Sequence, residues 1–385
     1  MKTLNIWRLT ILALLELPGS VFSQTFNSGS DGSYGPMNIT NSITLIMPTN
    51  GIFNCTTITI ATGATLTFTR NTLNTPVYLL ATGDIQIDGA ISVSGAPGNG
   101  RVPGAGGPGG FDGGWGGYGG TGFGGTGQGS DGQGPGGGQN SYPKFSASFG
   151  TLNNLGAGSV YGNSLLVPLI GGSGGAGVDG NPGNGGGGGG GAICVSSSTQ
   201  ISINGQIVSY GGNGYVSGGG GSGGGIRLVA PLVMGSGLLR TEGGLDPNYG
   251  MRGGAGRSRI DCIDGNAVRA INTSGTVASR GVQMYVFPAI RPRLDVVQVA
   301  GQSIPIGTGS EADVFLPTGS QTTQLVVVKA TGFTNDVSIV VAVVPSDRAS
   351  TTYPTLISLT NNPATVSVPV NLAIDSTNRI MVWSR

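Results

Sequence analysis

The chain has 385 residues, a formal net charge of +1, 9% charged residues and 77 glycines. Nucleic acid and anionic membrane are excluded as partners, because both need clustered Lys and Arg. No histidine is present, which excludes His-based triads and most zinc sites.

Residues 1–23 read as a signal peptide. Lys2 and Arg8 give a basic start, Leu9 to Leu15 a short apolar run, and Val21 and Ser23 sit at the small-residue positions before a cut ahead of Gln24. The run is too short to span a bilayer as a helix. The residue directly after the cut is not a cysteine, so no lipoprotein anchor is expected, and no second apolar stretch of spanning length appears. The expected product is a secreted protein, extracellular, at the cell surface or in the periplasm, with no transmembrane segment.

Residues 24–95 are strand-like. SITLIMP, TTITIA, ATLTFTR, PVYLLA and DIQIDGAISVSG alternate apolar and polar residues and are rich in Thr, Val and Ile. From Gly95 to Gly256 the chain turns glycine-rich, with 61 of the 77 glycines. From residue 288 the composition returns to normal. DVVQVA, QLVVVKA, VSIVVAVV, ATVSVPVNLAI and RIMVW, separated by turn residues, predict an Ig-like β-sandwich over 288–385.

The middle region contains a repeat. Laying 76–100 over 192–214 without a gap puts Val77, Leu79, Ile85, Ile87 and Ile91 on Ile193, Val195, Ile201, Ile203 and Ile207. A third copy, 224–244, fits if one residue is dropped, and a fourth, 254–270, is weaker. Such a unit buries its apolar face only by stacking on its neighbours. The expected fold is therefore all-β: a right-handed parallel β-helix over 24–287 with its Ile/Val/Leu ladder inward. Asp88-Gly89 and Asn204-Gly205 fall at matching bends.

The glycine blocks then leave one corner of every copy and lie side by side. Chains without side chains can form extended threefold helices of the polyglycine-II kind and satisfy one another's N–H and C=O groups. In GGWGGYGGT (113–121) a period of three places Trp115, Tyr118 and Thr121 on one outer edge. Trp115, Tyr118, Phe123 and Tyr215 are the candidate surface-binding residues. A flexible linker is the rival reading, opposed by the apolar content of 141–172. Collagen requires a strict Gly-X-Y register and abundant Pro, and the register breaks at Gly122-Phe123-Gly124.

The mature chain resembles a class of secreted glycine-rich bacterial proteins with a parallel β-helix. The resemblance rests on FNSGSDGSYG (26–35), NTPVYLLATGDIQIDGAISVSG (74–95), GGGIRLVAP (223–231) and GGAGRSRIDCIDGNAVRA (253–270). More loosely, the middle is similar to the polyglycine-II bundles of phage tail-fibre adhesins and to the Gly-rich repeats of mycobacterial surface proteins. The resemblance implies fold and export; it carries no catalytic residue, cofactor or metal site.

Carboxylate pairs suited to glycosidase chemistry are Asp84 with Asp88 and Asp261 with Asp264. Asp88 is better read as a turn residue, because its counterpart is Asn204. Asp261 and Asp264, near Arg257, Arg259 and Arg269, read as an ion-pair cluster. Cys55, Cys194 and Cys262 are an odd number at wide spacing, so at most one internal bridge forms and no metal spacing is present. Asn38, Asn54 and Asn272 match glycosylation acceptors. Two function classes stand. The first is a non-catalytic structural or adhesive protein that meets extracellular polysaccharide or cell-surface components. The second is a carbohydrate-active enzyme on the β-helix. Binding to ice or crystalline polysaccharide is a variant of the first.

Overall fold

The computed structural model describes residues 26–117, 127–143, 145–153, 158–180, 182–265, 267–288, 290, 292–305, 311–345, 350–360 and 363–384. Strands dominate, and the one helical segment among these residues is a 3-10 turn at Ala267–Ala270. No helix among them is long and apolar enough to cross a membrane.

The first fifteen strands are short and pair in parallel. They are β1 (Gly35–Ile39), β2 (Ile43–Ile46), β3 (Ile52–Ile60), β4 (Thr65–Thr69), β5 (Val77–Ala81), β6 (Ile85–Ile87), β7 (Ala90–Ser92), β8 (Ala192–Ser197), β9 (Gln200–Ile203), β10 (Gln206–Val208), β11 (Gly225–Val229), β12 (Leu232–Met234), β13 (Leu238–Arg240), β14 (Arg257–Asp261) and β15 (Val277–Gly281). One run of neighbours is β3-β5-β8-β11-β14-β15 and a second, continuing from β3, is β3-β6-β9-β12. A separate sheet runs β13-β10-β7-β4-β2.

Neighbours in each stack are the repeat copies. Val77 pairs with Ile193 and Leu79 with Val195, Ile85 with Ile201 and Ile87 with Ile203, Ile91 with Ile207. The third copy pairs Ile226 with Ile193, then Val233 with Ile201. The offset falls by one between them, which is the dropped residue. The fourth sets Ile260 against Leu228. A strand of three to six residues has too little apolar surface to hold alone. Stacked, all three series point into one cluster in which Leu79, Ile87, Ile91, Ile193, Ile201 and Leu228 are fully buried. Each such burial contributes about 1.5–3 kcal/mol.

The bends between stacks are as tight as their Asx-Gly signatures require. Asn204 Nδ2 donates to Asp88 Oδ1 at 2.8 Å, and a Cβ on Gly205 would overlap the Gly89 carbonyl below it.

The glycine segments form a second, side-chain-poor core. Residues 183–191 run through its middle with a hydrogen-bond period of three. Gly183, Gly186 and Gly189 donate to Gly117, Gly114 and Phe111; Gly187 and Gly190 donate to Gly219 and Ser222; Gly188 and Gly191 donate to Ala96 and Val93, all at 2.7–3.0 Å. Their carbonyls accept from Gly104 and Gly107, from Gly175 and Gly172, and from Gly212 and Gly225. Successive residues thus face different neighbours and return to the same one every third step, the period of an extended threefold helix. Six flanking segments surround this one, and side chains would hold them apart.

The last eight strands are β16 (Arg293–Val299), β17 (Gln302–Ser303), β18 (Glu311–Leu316), β19 (Thr323–Thr331), β20 (Val337–Pro345), β21 (Thr351–Ile357), β22 (Thr365–Asn371) and β23 (Ser376–Ser384). They make two antiparallel sheets, ordered β17-β16-β19-β22 and β18-β23-β20-β21, over one cluster that includes Val296, Val326, Val328, Ile339, Val341 and Ile380. The outer face of β20 and β23 is covered too. Val340, Ala342, Met381 and Trp383 bury against Phe111 of the glycine segments, whose ring lies 5.9 Å from that of Trp383 in an edge contact. Around this contact Asp112 takes Arg70 on one oxygen and Arg379 on the other, the latter at 3.0 Å. Arg70 also reaches Glu311 at 3.1 Å, and burial pushes the Glu311 carboxyl up, opposed by Arg70.

The glycine packing yields a direct expectation. A Cβ on Gly116 would lie 2.5 Å from the Gly183 carbonyl carbon and 2.6 Å from Asn184 N. Gly116→Val must separate these segments and strand the bond from Gly183 N to the Gly117 carbonyl; each buried unpaired group costs about 1–3 kcal/mol. A thermal melt of Gly116→Val is expected to fall by several degrees against the parent protein. A flexible linker would leave it unchanged.

Candidate functional site

The candidate residues do not share one place. Tyr118 and Phe123 lie outside the described residues. Trp115 is half-buried, with Arg101 over its ring at 5.4 Å, and it lines a groove with Asp313, Thr377 and Arg379 rather than standing in an open row. Its neighbours Gly114 and Gly117 have their Cβ positions filled by the Ser130 and Gly127 carbonyls, so the side chain leaves from an open edge of its segment.

Tyr215 sits elsewhere, 41% exposed, in the turn that joins 209–214 to 218–225. Segments 111–117 and 183–191 pair antiparallel, 117 with 183 and 111 with 189, and 191 leads directly into β8. Residues 117 and 183 therefore mark the bundle end remote from the strands. Tyr215 N donates to Gly185 O at 2.9 Å, which places its turn at that distal end.

Two further turns adjoin it. Gly214 N donates to Leu245 O and Asn248 N to Val216 O, each at 2.9 Å, while Asn248 Nδ2 reaches Ser217 Oγ at 2.8 Å. The 246–250 turn is held from within by the buried Asp246, whose Oδ1 accepts from Asn248 N and Tyr249 N at 3.1 Å. Burial pushes this carboxyl up. Tyr249 then meets Tyr142, ring centroids 5.5 Å apart, and Tyr142 stands 6.2 Å from Phe145. The result is an exposed pair of rings, Tyr142 at 69% and Tyr249 at 49%, beside the bonded turn that carries Tyr215 at 41% and Val216. Tyr215 and Tyr249 sit on turns that interrupt glycine segments, held by the bonds of Tyr215 N to Gly185 O and Tyr249 N to Asp246 Oδ1, and Tyr142 lies in the turn that follows the glycines of 132–138. Tyr142 and Tyr249 were not singled out by the sequence. The available signal was an aromatic in each of the short non-glycine turns.

The carboxylate pairs have other partners. Asp84 accepts from Thr199 Oγ1 at 2.5 Å and Gln200 Nε2 at 2.8 Å, and Asp88 from Gln86 Nε2 at 2.6 Å and Asn204. Both carboxylates thus tie one copy to the corresponding residues of the next. Asp261 is fully buried, with Oδ2 at 3.2 Å from Arg227 and Oδ1 at 2.6 Å from Arg259. Asp264 is exposed instead, and its carbonyl accepts from Cys262 Sγ at 3.3 Å. Arg257, expected in this cluster, stacks 5.8 Å from the Phe149 ring.

The residue that organises the cluster is Arg227, 1% exposed in the middle of GIRLV. Its guanidinium also donates to the carbonyls of Gln283, Tyr285 and Val286 at 2.8–3.3 Å and lies 5.2 Å from the Tyr285 ring. It pins residues 283–287 across the outside of β8, β11 and β14, where Val286 packs on Leu80, Cys194 and Val229.

Cys55, Cys194 and Cys262 are buried and free. Burial pushes the Cys55 and Cys194 thiols up to about 11, so at neutral pH little thiolate exists at either. No group of three or more His, Cys, Asp or Glu side chains among the described residues is placed to hold a metal ion.

Removing one partner from a buried ion pair typically costs about 3–5 kcal/mol. Asp261→Asn is therefore expected to lower the denaturant midpoint strongly, with early release of 283–287 seen as proteolysis there. An Asp261→Asn protein that melts like the parent yet loses turnover of a polysaccharide would mark the residue as catalytic instead.

Compared with protein-family models, with curated proteins and with solved structures, the chain gives no match.

Proposed function

We propose that this chain is an exported, non-catalytic adhesive protein whose contact surface is the tyrosine-bearing distal end of the glycine bundle. The parallel strands are read as a right-handed β-helix, the glycine segments as polyglycine-II insertions, and the last two sheets as a β-sandwich. The leader-like residues 1–23 support export. The two sheets serve to anchor the bundle or dock a partner.

One observation carries the reading: Tyr142, Tyr215 and Tyr249 stand exposed together on three adjoining turns. Tyrosine brings a rigid apolar ring and a hydroxyl at little conformational cost, which suits it to contact surfaces. With Tyr215 and Tyr249 held by their backbone amides and Tyr142 packed against Tyr249 and Phe145, the rings are placed before a partner arrives, so little order remains to be imposed on binding. Low net charge favours contacts made by rings and hydroxyls over electrostatic steering.

The test is a combined Tyr142→Ser, Tyr215→Ser, Tyr249→Ser protein. It is expected to melt like the parent and to bind whole cells or insoluble cell-wall polysaccharide at least about tenfold more weakly, since truncating a contact aromatic commonly costs 2 kcal/mol or more, by rough measure. Undiminished retention on those surfaces would refute the assignment.

A further inference from the structure

We propose that the groove between the glycine segments and the C-terminal sheet is a second binding site, for a neutral, hydroxyl-rich glycan. It lies apart from the distal tyrosines and does not depend on their role. Trp115 and Gln133 come to it from the glycine segments, and Asp313, Thr377, Arg379 and Met381 from β18 and β23, around a volume of about 250 Å³. Past Asp112 and Arg379 it opens into a cleft of about 520 Å³ bounded by Arg70, Asn71 and Glu311. The two share Ala105, Asp112, Asp313 and Arg379, and together they reach the size of a pocket for a ligand larger than one sugar ring.

The lining chemistry selects the ligand. A pyranose ring presents an apolar C–H face and a rim of hydroxyls that each donate and accept. Trp115 supplies an aromatic wall, and the Arg101 guanidinium 5.4 Å from its ring centroid fixes that wall in place. Asp313 is gripped through both oxygens by Arg379, at 2.9 and 3.3 Å, yet its side chain is 52% exposed. An ionised carboxylate has about four acceptor positions, so acceptor capacity remains toward the groove. Thr377 adds an exposed hydroxyl beside it. The Asp313 carboxylate is thus held by Arg379, and the Trp115 ring by Arg101, before any ligand enters.

Charge decides between neutral and ionic ligands. Asp112, Asp313 and Glu311 are all paired to Arg70 and Arg379, with Arg379 bridging the two aspartates and Arg70 joining Asp112 to Glu311. An anionic or cationic ligand would have to break these pairs, whereas hydroxyls add to them. Because the walls come from both regions, ligand bound here also joins the two.

The experiment titrates the parent protein with cellohexaose, chitohexaose, maltohexaose and mannohexaose, read by calorimetry and tryptophan fluorescence. Trp115 and the buried Trp383 are the two tryptophans beyond the leader. At least one of these saccharides is expected to bind saturably with a Kd of about 1 mM or tighter and to shift the emission. Trp115→Ala is expected to weaken that binding at least about tenfold, as for an aromatic anchor. Thr377→Val, on the exposed rim, is expected to weaken it several-fold and serves as the deciding variant if Trp115→Ala does not fold. The triple tyrosine variant should bind the same saccharide as the parent does. Absence of saturable binding by all four saccharides, an unchanged Kd in folded Trp115→Ala or Thr377→Val, or loss of binding in the tyrosine variant alone would overturn the assignment.

Discussion

Backbone amides and carbonyls that leave water must find partners, and that constraint governs the whole molecule. In the strands it is met along the stack, copy upon copy. In the glycine segments it is met across the bundle, successive residues of 183–191 turning to different neighbours and returning every third step. The two solutions share one register. Because Ile91 is stacked on Ile207, the chains that follow emerge together, and Gly95 N finds Tyr210 O at 2.8 Å. A strand core made of side chains thereby sets the spacing of a second core made of backbone. A slip in the first would misplace every bond of the second.

That dependence explains where side chains survive in the glycine segments. Most positions have their Cβ space filled by a carbonyl of the next chain. Those that keep a side chain lie on an edge or turn, or are small residues such as Ser173 and Ser222, whose hydroxyls take part in the bundle's own bonds. Phe111, Asp112 and Trp115 use one such edge to meet the C-terminal sheet. Tyr142, Tyr215 and Tyr249 use the turns. The recognition surfaces proposed above are therefore the places that backbone packing leaves open.

Local periodicity made the strand ladder legible. The Ile/Val/Leu positions of the first two copies align in sequence and are paired in space, and the third copy follows with its one-residue drop before β12. The Asp88 bend was legible for the same reason, since its counterpart is an asparagine. Features built from distant residues were not. Arg227 finds Asp261 34 positions away and Val286 59 positions away, and only an arginine inside a strand of apolar neighbours hinted at it. The covered outer face of β20 had a clearer mark. VSIVVAVV is apolar on both alternations, the pattern of a strand buried on two sides, and Val340 and Ala342 are the residues that meet the glycine edge. The threefold period of GGWGGYGGT identified the edge of Trp115 without indicating that another sheet would close over it.

Amide hydrogen exchange of the parent protein tests the backbone core most directly. Exchange by local opening is slow only where a bonded amide is also cooperatively held. If 183–191 is the centre of a packed bundle, the amides of Gly186 to Gly190 must exchange as slowly as those of Ile193 and Val195 in the adjoining strand. Exchange of these glycine amides at the rate of an unstructured peptide, beside a protected β8, would contradict it.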